Sequence, residues 1–340
     1  MQDRQIGAHR MRLFHHAIAM PTQSQRPQGA AQEIAVYDRG PGGAPYEESV
    51  QWMRIDNDIR HIGALLAEEK DRTLQSYRLS GSMTSEWNFH ARHYARMGSP
   101  MRPTPLDVEK ISRLIQGHDQ NVLMLGVTPD YAGVGTRLTA VDRTPQMINQ
   151  HWPQDSERCT ALYGDWLDLP FDDGAYSSVI GDGSINSAAS GLTGLFREMR
   201  RVLKGSGVAA IRAFCSPEKP QSLAEVAYGY LEQPDLNSTA LRFRIAMAIA
   251  HQFPGYTVRL EKVLEHFNEM FPDRGLLAEK TGWEQTDIAR FDSLKGSDFE
   301  VGFPTREHIL THAKRSFVSA YFVESEGYPL AELCPVLVLR

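Results

Sequence analysis

The chain has 340 residues, enough for one large domain with additions or for two small ones. Apolar residues make up 41% and charged residues 23%, as in ordinary globular proteins. A net charge of −6 argues against a nucleic-acid binder, which needs a basic face. Cys159, Cys215 and Cys334 are widely spaced without a C-x-x-C pair, so they form neither a disulfide framework nor a zinc site.

From the N-terminus, "MQDRQIGAHRMRLFHHAIAMP" places arginines ahead of a weakly apolar stretch, but His15 and His16 interrupt it. That excludes a secretory signal. No apolar run approaches the roughly 18 residues of a membrane span. The expected location is the cytoplasm, with no membrane partner. Residues 1–47 carry "RPQGAAQ" and "RGPGGAP" and cannot bury much surface, so they read as a disordered tail or linker.

Residues 48–117 read as N-terminal helices. Val50, Met53, Ile59, Ile62, Leu65 and Leu66 fall at helical spacing over 48–78, a surface suited to a lid or to pairing two subunits in a homodimer. The first half of 84–117 is helix-like, with Trp87, His90 or Ala91, and Tyr94 toward one side. Thr104 is then an N-cap, Pro105 suits the first helical position, and Asp107 favours the positive helix end. This helix ends near Gly117.

From 121 the period changes. "NVLMLG" (121–126), "RLTAVD" (137–142), "CTALYGD" (159–165), "SSVIGD" (177–182) and "GVAAIRAF" (207–214) are short apolar runs that end in Gly, Asp or a turn. Helical segments, "TPQMINQHW" (144–152) and "SGLTGLFREMRRVLKG" (190–205), lie between them. This alternation predicts an α/β fold with a mostly parallel sheet and helices on both faces. Residues 216–280 read as a helical insertion, and "WEQTDIARFD" (283–292) and "CPVLVLR" (334–340) as two late strands. One domain therefore spans 118–340.

In such a sheet, ligands sit at the carboxyl ends of the strands, near the switch in strand order. The first strand ends in "LGVTPDYA", with Gly126 and Val127 followed by Thr128 as an N-cap, Pro129 at the first helical position, and Asp130. N–H groups at that helix start would attract a carboxylate. The second strand ends at Asp142, whose carboxylate could accept both hydroxyls of a ribose. The third ends in Gly164-Asp165-Trp166, an acceptor for an exocyclic amine beside an aromatic face. The fourth ends in Asp182-Gly183, small and polar, with Asn186 just beyond.

The order and spacing of these four ends, with "LFREMRRVLKGSGVAAIRAF" (195–214), resemble class I S-adenosylmethionine-dependent methyltransferases. "RVLKGSG" is close to that family's turn before the fifth strand, with Ser206 in place of the usual Pro. "HARHYARMGSPMRPTPLD", "LGVTPDYA", "VDRTPQMI" and "GDGSIN" are similar to a bacterial subgroup in which G-V-T-P replaces the glycine-rich motif. The resemblance covers about residues 85–340 and implies a Rossmann-like, seven-stranded sheet ending in an antiparallel hairpin.

It also implies S-adenosylmethionine as cofactor and S-adenosylhomocysteine as product. Gly126, Val127 and Thr128 would then lie beside the methionine part. Asp142 and Arg143 would take the ribose, Gly164, Asp165 and Trp166 the adenine, and Asp182 and Gly183 the sulfonium end.

A small-molecule substrate is expected. Trp87, Tyr94, Arg102 and Arg212 are its candidate contacts, with Tyr94, His90 and Asn186 as positioning residues; no residue is assigned a covalent role. Aromatic faces would suit a sulfonium, and the arginines could hold a carboxylate. This points to an amino-acid-like acceptor, such as a methionine thioether. An N- or O-methyltransferase of another metabolite is the alternative. A second reading of the same side chains packs Trp87 and Tyr94 into the core and pairs Arg102 with a neighbouring loop. The histidines show no metal spacing, so no metal is expected. A nicotinamide oxidoreductase would need G-x-G-x-x-G, and intact Asp142 and Asp165 argue against a catalytically silent member that only binds the cofactor or a partner protein.

Overall fold

The computed structural model describes Glu33–Ile34, Met53–Arg54, Tyr94 and residues 97–340, apart from 154–155 and 233–235. The chain divides into two units, Met1–Leu79 and Ser80–Arg340. In the first, Glu33 pairs with Arg54 and Ile34 with Met53, antiparallel. These four residues are extended where a tail and a helix are expected. The rest of the 1–47 and 48–78 readings, with Trp87 and His90, lies outside the described residues.

The second unit is built on five strands in the expected places: β1 (Val122–Leu125), β2 (Leu138–Asp142), β3 (Cys159–Tyr163), β4 (Tyr176–Asp182) and β5 (Leu203–Arg212). A ribbon of β6 (Thr257–Arg259) and β7 (Glu300–Gly302) stands apart, and β8 (Ala320–Val323) and β9 (Val336–Leu339) close the sheet. The order β8-β9-β5-β4-β1-β2-β3 is parallel from β5 through β3 and antiparallel at β8 and β9. The order reverses between β1 and β4, so the crevice for a ligand opens at their carboxyl ends.

Alternation along the strands sends side chains to two cores. On one face Leu123, Leu125, Val179 and Ile211 pack with Leu195, Phe196, Met199 and Val202 of α4 (Leu192–Val202). On the other, Val122, Met124, Ile180 and Val338 pack with Ile111 of α1 (Pro105–Leu114), and with Met147 and Ile148 of α2 (Pro145–His151). Strand β1 is buried throughout because helices cover both sides, which is why it reads as an unbroken apolar run. Each of these large side chains contributes about 1.5–3 kcal/mol on burial. Helix α1 starts as expected: Thr104 Oγ1 accepts from the Asp107 N–H at 3.2 Å, and the Asp107 carboxylate accepts from the Thr104 N–H at 2.9 Å.

Beyond α3 (Ser184–Ser187) and β5, the insertion carries α5 (Leu223–Glu232), α6 (Ser238–Ala250), α7 (Leu260–Met270) and α8 (Arg274–Thr281). Helix α6 is apolar on nearly every side and is the centre of a third core. Three expectations need correction. "WEQTDIARFD" is no strand: it forms α9 (Gln285–Ala289) and a 3₁₀ turn over Arg290–Leu294. Ile288, Phe291 and Leu294 recur every third residue, a helical spacing, and all three are buried. The hairpin partner of β9 is therefore β8. The insertion is also longer than 216–280, because β7 returns to pair with β6. Finally, "GVTPDYA" leads into a single 3₁₀ turn, Pro129–Tyr131, and Thr128 makes no side-chain cap bond. After the ribbon, α10 (Arg306–Ala313) packs on α4.

Candidate active site

Gly126 leaves β1 at φ +97°, a conformation that favours glycine. A Cβ there would sit 3.4 Å from Cζ2 of Trp166 and 3.8 Å from Oδ2 of Asp142. The indole is held in that place because Nε1 donates to the Val141 carbonyl at 2.7 Å. Asp142 is buried and divides its carboxylate: Oδ2 accepts from the Val127 N–H at 2.8 Å, and Oδ1 from the Thr144 N–H at 2.7 Å. Burial pushes this carboxyl up, and the two N–H bonds pull against the rise. One side chain thus fixes the loop that a glycine ladder would otherwise shape, and each oxygen keeps a second lone pair.

At the end of β4, Asp182 is buried against Arg212, whose side chain is 0% exposed. Arg212 Nε donates to Oδ1 at 2.7 Å and Nη2 to Oδ2 at 2.9 Å, while Nη1 donates to the Tyr328 hydroxyl at 3.2 Å. Burial pushes the Asp182 carboxyl up and Arg212 draws it down. Burial alone would lower the guanidinium, but the facing Asp182 carboxylate keeps it well above its usual value and charged. Gly183 follows at φ +65°, where a Cβ would stand 2.8 Å from Cε2 of Phe214.

Asn186 spends its whole amide on the protein. Nδ2 donates to the carbonyls of Phe214 and Gly302, both at 2.7 Å, and Oδ1 accepts from the Phe214 N–H at 3.0 Å. It brackets the β4 end, the segment after β5 and the β6–β7 ribbon together.

A cavity open to solvent runs along these strand ends. Gly126, Val127, Thr128, Asp142, Arg143 and Trp166 line one half. Asp182, Gly183 and Asn186 lie between, and the far half is walled by Phe214, Phe243, Phe299, Val301 and Phe303. Phe243 meets Phe214 and Phe303 edge-on, at centroid distances of 4.8 and 5.5 Å. Gly164, Asp165, Arg102 and Arg212 do not line it. Asp165 instead turns its Oδ1 to the Leu167 N–H at 3.0 Å.

Tyr94 reaches the cavity wall, and its hydroxyl donates to Asp130 Oδ2 at 2.6 Å. Arg102 forks onto the same carboxylate, with Nε 3.0 Å from both oxygens and Nη2 2.8 Å from Oδ1. Its guanidinium also lies 5.1 Å from the Tyr94 ring centre. Arg102 thus pairs with a neighbouring loop, the second reading of that side chain. Burial works to raise the Asp130 carboxyl, but the bonds from Arg102 and Tyr94 overcome it and hold the group below the usual range.

The "RVLKGSG" turn also has a physical task. Arg201 Nη1 donates to the Phe171 carbonyl and to Asp173, and Nη2 to the Leu169 carbonyl and Glu198. It ties α4 to the loop between β3 and β4.

The model of a family described as a methyltransferase domain matches residues 126–211, from the β1 loop through β5. That match falls on the strand ends that build the cavity. Residues 126–211 carry a methyltransferase domain.

No curated protein matches it. Among solved structures it is similar to an S-adenosylmethionine-dependent methyltransferase of Methanosarcina mazei (11% identity, 70% of this chain and 96% of that one, TM-score 0.39). It is also similar to a Pyrococcus horikoshii protein (17%, 73% and 98%, 0.40) and to a Rhodobacter sphaeroides chain described as a zinc-dependent alcohol dehydrogenase (12%, 76% and 99%, 0.44). Likenesses at this level bear on neither reaction nor substrate.

The residues present fit the methyltransferase cofactor. The Gly126 turn leaves space that a Cβ would narrow, the buried Asp142 carboxylate lines the same half, and the Trp166 ring closes it. Among the described residues no group of three metal-ligating side chains lies together, and no helix is long and apolar enough to cross a membrane. The aromatic wall was not read from the sequence. Phe214, Phe243, Phe299 and Phe303 carry no spacing that separates a cavity wall from a core.

Proposed function

We propose that this methyltransferase acts on a small acceptor with an apolar body, held against Phe214, Phe243 and Phe303 beside the β4 end. One observation carries the reading: the cavity passes from the Gly126–Asp142–Trp166 half straight into an aromatic wall supplied by the insertion. The narrower reading, an amino-acid-like thioether held by Arg102 and Arg212, loses its support. Both guanidiniums are engaged, by Asp130 and Asp182, and neither lines the cavity.

In this reading Gly126, Val127 and Thr128 hold the methionine part of S-adenosylmethionine, Asp142 and Arg143 the ribose, and Trp166 the adenine. Asp182 and Gly183 stand at the sulfonium end. The cofactor supplies a methyl group on a positive sulfur, ready for in-line displacement. The protein's share is to orient the acceptor and keep water out, and orientation can supply roughly 7–11 kcal/mol. The edge-on phenylalanines serve both tasks, since they are rigid and apolar. A proton acceptor is needed only for a hydroxyl or ammonium nucleophile, and Asp182 is the carboxylate at that end.

Calorimetry with S-adenosylhomocysteine and with NAD tests the cofactor assignment: the first binds and the second does not. Labelled methyl transfer onto small aromatic alcohols, amines and thioethers, with methionine alongside, tests the acceptor. Preferred methylation of methionine would overturn the apolar reading.

A further inference from the structure

Phe243 meets Phe214 at an interplanar angle of 64° and Phe303 at 66°. The three rings therefore turn their faces in different directions around the far half of the cavity, as the walls of a cage do. A ring face attracts a positive group through its quadrupole, most strongly where water is kept out. Phe214 already serves one cation in this way, since the buried Arg212 guanidinium lies 5.1 Å from its ring centre.

The charge beneath the β4 end points the same way. Asp182 lines the cavity, whereas its partner Arg212 does not. Arg212 Nη1 donates to the Tyr328 hydroxyl, which donates at 3.3 Å to Oδ1 of Asp107, a second carboxylate and only 1% exposed. Two buried carboxylates thus share one guanidinium. The first turn of α1 takes part of the Asp107 charge, and the remainder is negative. Such a cluster repels an anionic acceptor and suits a positive group. Asp182 is also poorly placed to take a proton, because neutralising it would leave the wholly buried Arg212 without its ion-pair partner. The arginines that line the cavity are engaged elsewhere: Arg143 follows Asp142 in the Gly126 half, and Arg242 has its own partner.

We propose that the methyl acceptor is an uncharged tertiary or heteroaromatic amine, or a thioether, whose methylated product is a cation held by the phenylalanine cage. The acceptor's lone pair forms the bond to the methyl carbon as the carbon–sulfur bond of the cofactor breaks, and the electron pair of that bond stays on sulfur. No proton leaves. The positive charge passes from the cofactor's sulfur to the acceptor's nitrogen or sulfur. The inference rests on the methyltransferase reading of the cavity and adds the chemical class of the acceptor to it.

The test uses the full chain saturated with S-adenosylhomocysteine, whose sulfur is uncharged, so that a cation beside it mimics the product complex. Calorimetry compares N-methylisoquinolinium, isoquinoline and 2-naphthoate, which are similar in size and are positive, neutral and negative at neutral pH. The cation binds about tenfold or more tightly than isoquinoline, the size expected for a desolvated cation on ring faces. The anion binds more weakly than either. In Phe243→Leu the ratio of cation to neutral affinity falls about threefold or more, because an apolar wall without a quadrupole remains. In Asp107→Asn, a change outside the cavity, the ratio falls as well. S-adenosylhomocysteine affinity, unchanged in both variants, shows that they are folded. Equal binding of cation and neutral ring, tighter binding of the anion, binding of none of the three, or a ratio left at the wild-type value in either folded variant would overturn the proposal. Methyl transfer onto isoquinoline or onto thioanisole then distinguishes nitrogen from sulfur. Failure of S-adenosylhomocysteine to bind the wild type would instead overturn the cofactor assignment beneath it.

Discussion

The carboxylate of Asp142 accepts the N–H of Val127 at 2.8 Å across the ends of two neighbouring parallel strands. Its other oxygen holds the N–H of Thr144, so the β1 loop and the start of α2 hang on one buried side chain. In Asp142→Asn the amide would turn an N–H₂ toward one of these N–H donors. A buried donor left without an acceptor costs about 1–3 kcal/mol. We expect S-adenosylhomocysteine affinity to fall by about tenfold to a hundredfold, with a lower melting temperature. Calorimetry checks it, and unchanged affinity in the variant would show that the carboxylate serves the loop alone.

The Asp182–Arg212 pair makes a different prediction, one of stability. Breaking a buried pair from one side strands a charge and costs about 3–5 kcal/mol, whereas replacing both partners by apolar groups is often much milder. Arg212→Met should therefore destabilise strongly, and Asp182→Leu/Arg212→Met should recover much of the loss. Denaturant unfolding of the three variants measures it. Equal destabilisation by single and double changes would show that the pair is not coupled as drawn.

Much of the frame was legible because its signals are local. Strands β1 and β4 are apolar runs closed by Gly or Asp, and Thr104-Pro105-Leu106-Asp107 announces a helix start. The family match over 126–211 covers the stretch that the strand ends had marked. What escaped was decided by tertiary partners. Trp283–Asp292 reads as a strand in so short a window, but Ile288, Phe291 and Leu294 turn together into the insertion core. Arg102 and Arg212 look like substrate clamps in a linear reading, because Asp130 and Asp182 lie 28 and 30 residues away. The phenylalanine wall was hidden for the same reason: β7 meets β6 only after four intervening helical segments.

The Tyr94–Asp130–Arg102 cluster should give the fold an acid-sensitive element. Asp130 is held below the usual carboxylate range, despite burial, by bonds from Arg102 and Tyr94. A carboxyl lowered in the folded state stabilises above its unfolded value, and that stability is lost as pH falls through the folded value. Asp142, raised chiefly by burial, acts with the opposite sign and favours the fold as pH falls toward the unfolded carboxylate value. Asp130→Asn should therefore flatten the acid-side loss, and Asp142→Asn should steepen it. Urea titrations between about pH 7 and pH 3 would read both slopes. An Asp130→Asn slope identical to the wild type would contradict the first.

Phe303 offers the cleanest separation of acceptor from cofactor. It follows β7, its N–H donates to the Tyr256 carbonyl at 2.7 Å, and its ring meets Phe243 edge-on. Its described hydrogen bonds and ring contact run to Tyr256, Ser216 and Phe243, and none of these joins the Gly126–Asp142–Trp166 group. Phe303→Leu keeps an apolar side chain of similar volume, so the fold should lose under about 1.5 kcal/mol. Loss of the flat wall should raise KM for an aromatic acceptor about tenfold, at the low end of the 1–3 kcal/mol that a hydrophobic pocket discriminates. S-adenosylhomocysteine affinity should stay at the wild-type value, because its half of the cavity is untouched. Trp166→Leu should do the reverse, weakening the cofactor and leaving acceptor KM near normal at saturating S-adenosylmethionine. If instead Phe303→Leu weakened S-adenosylhomocysteine as much as the acceptor, the cavity could not be divided between the two as assigned.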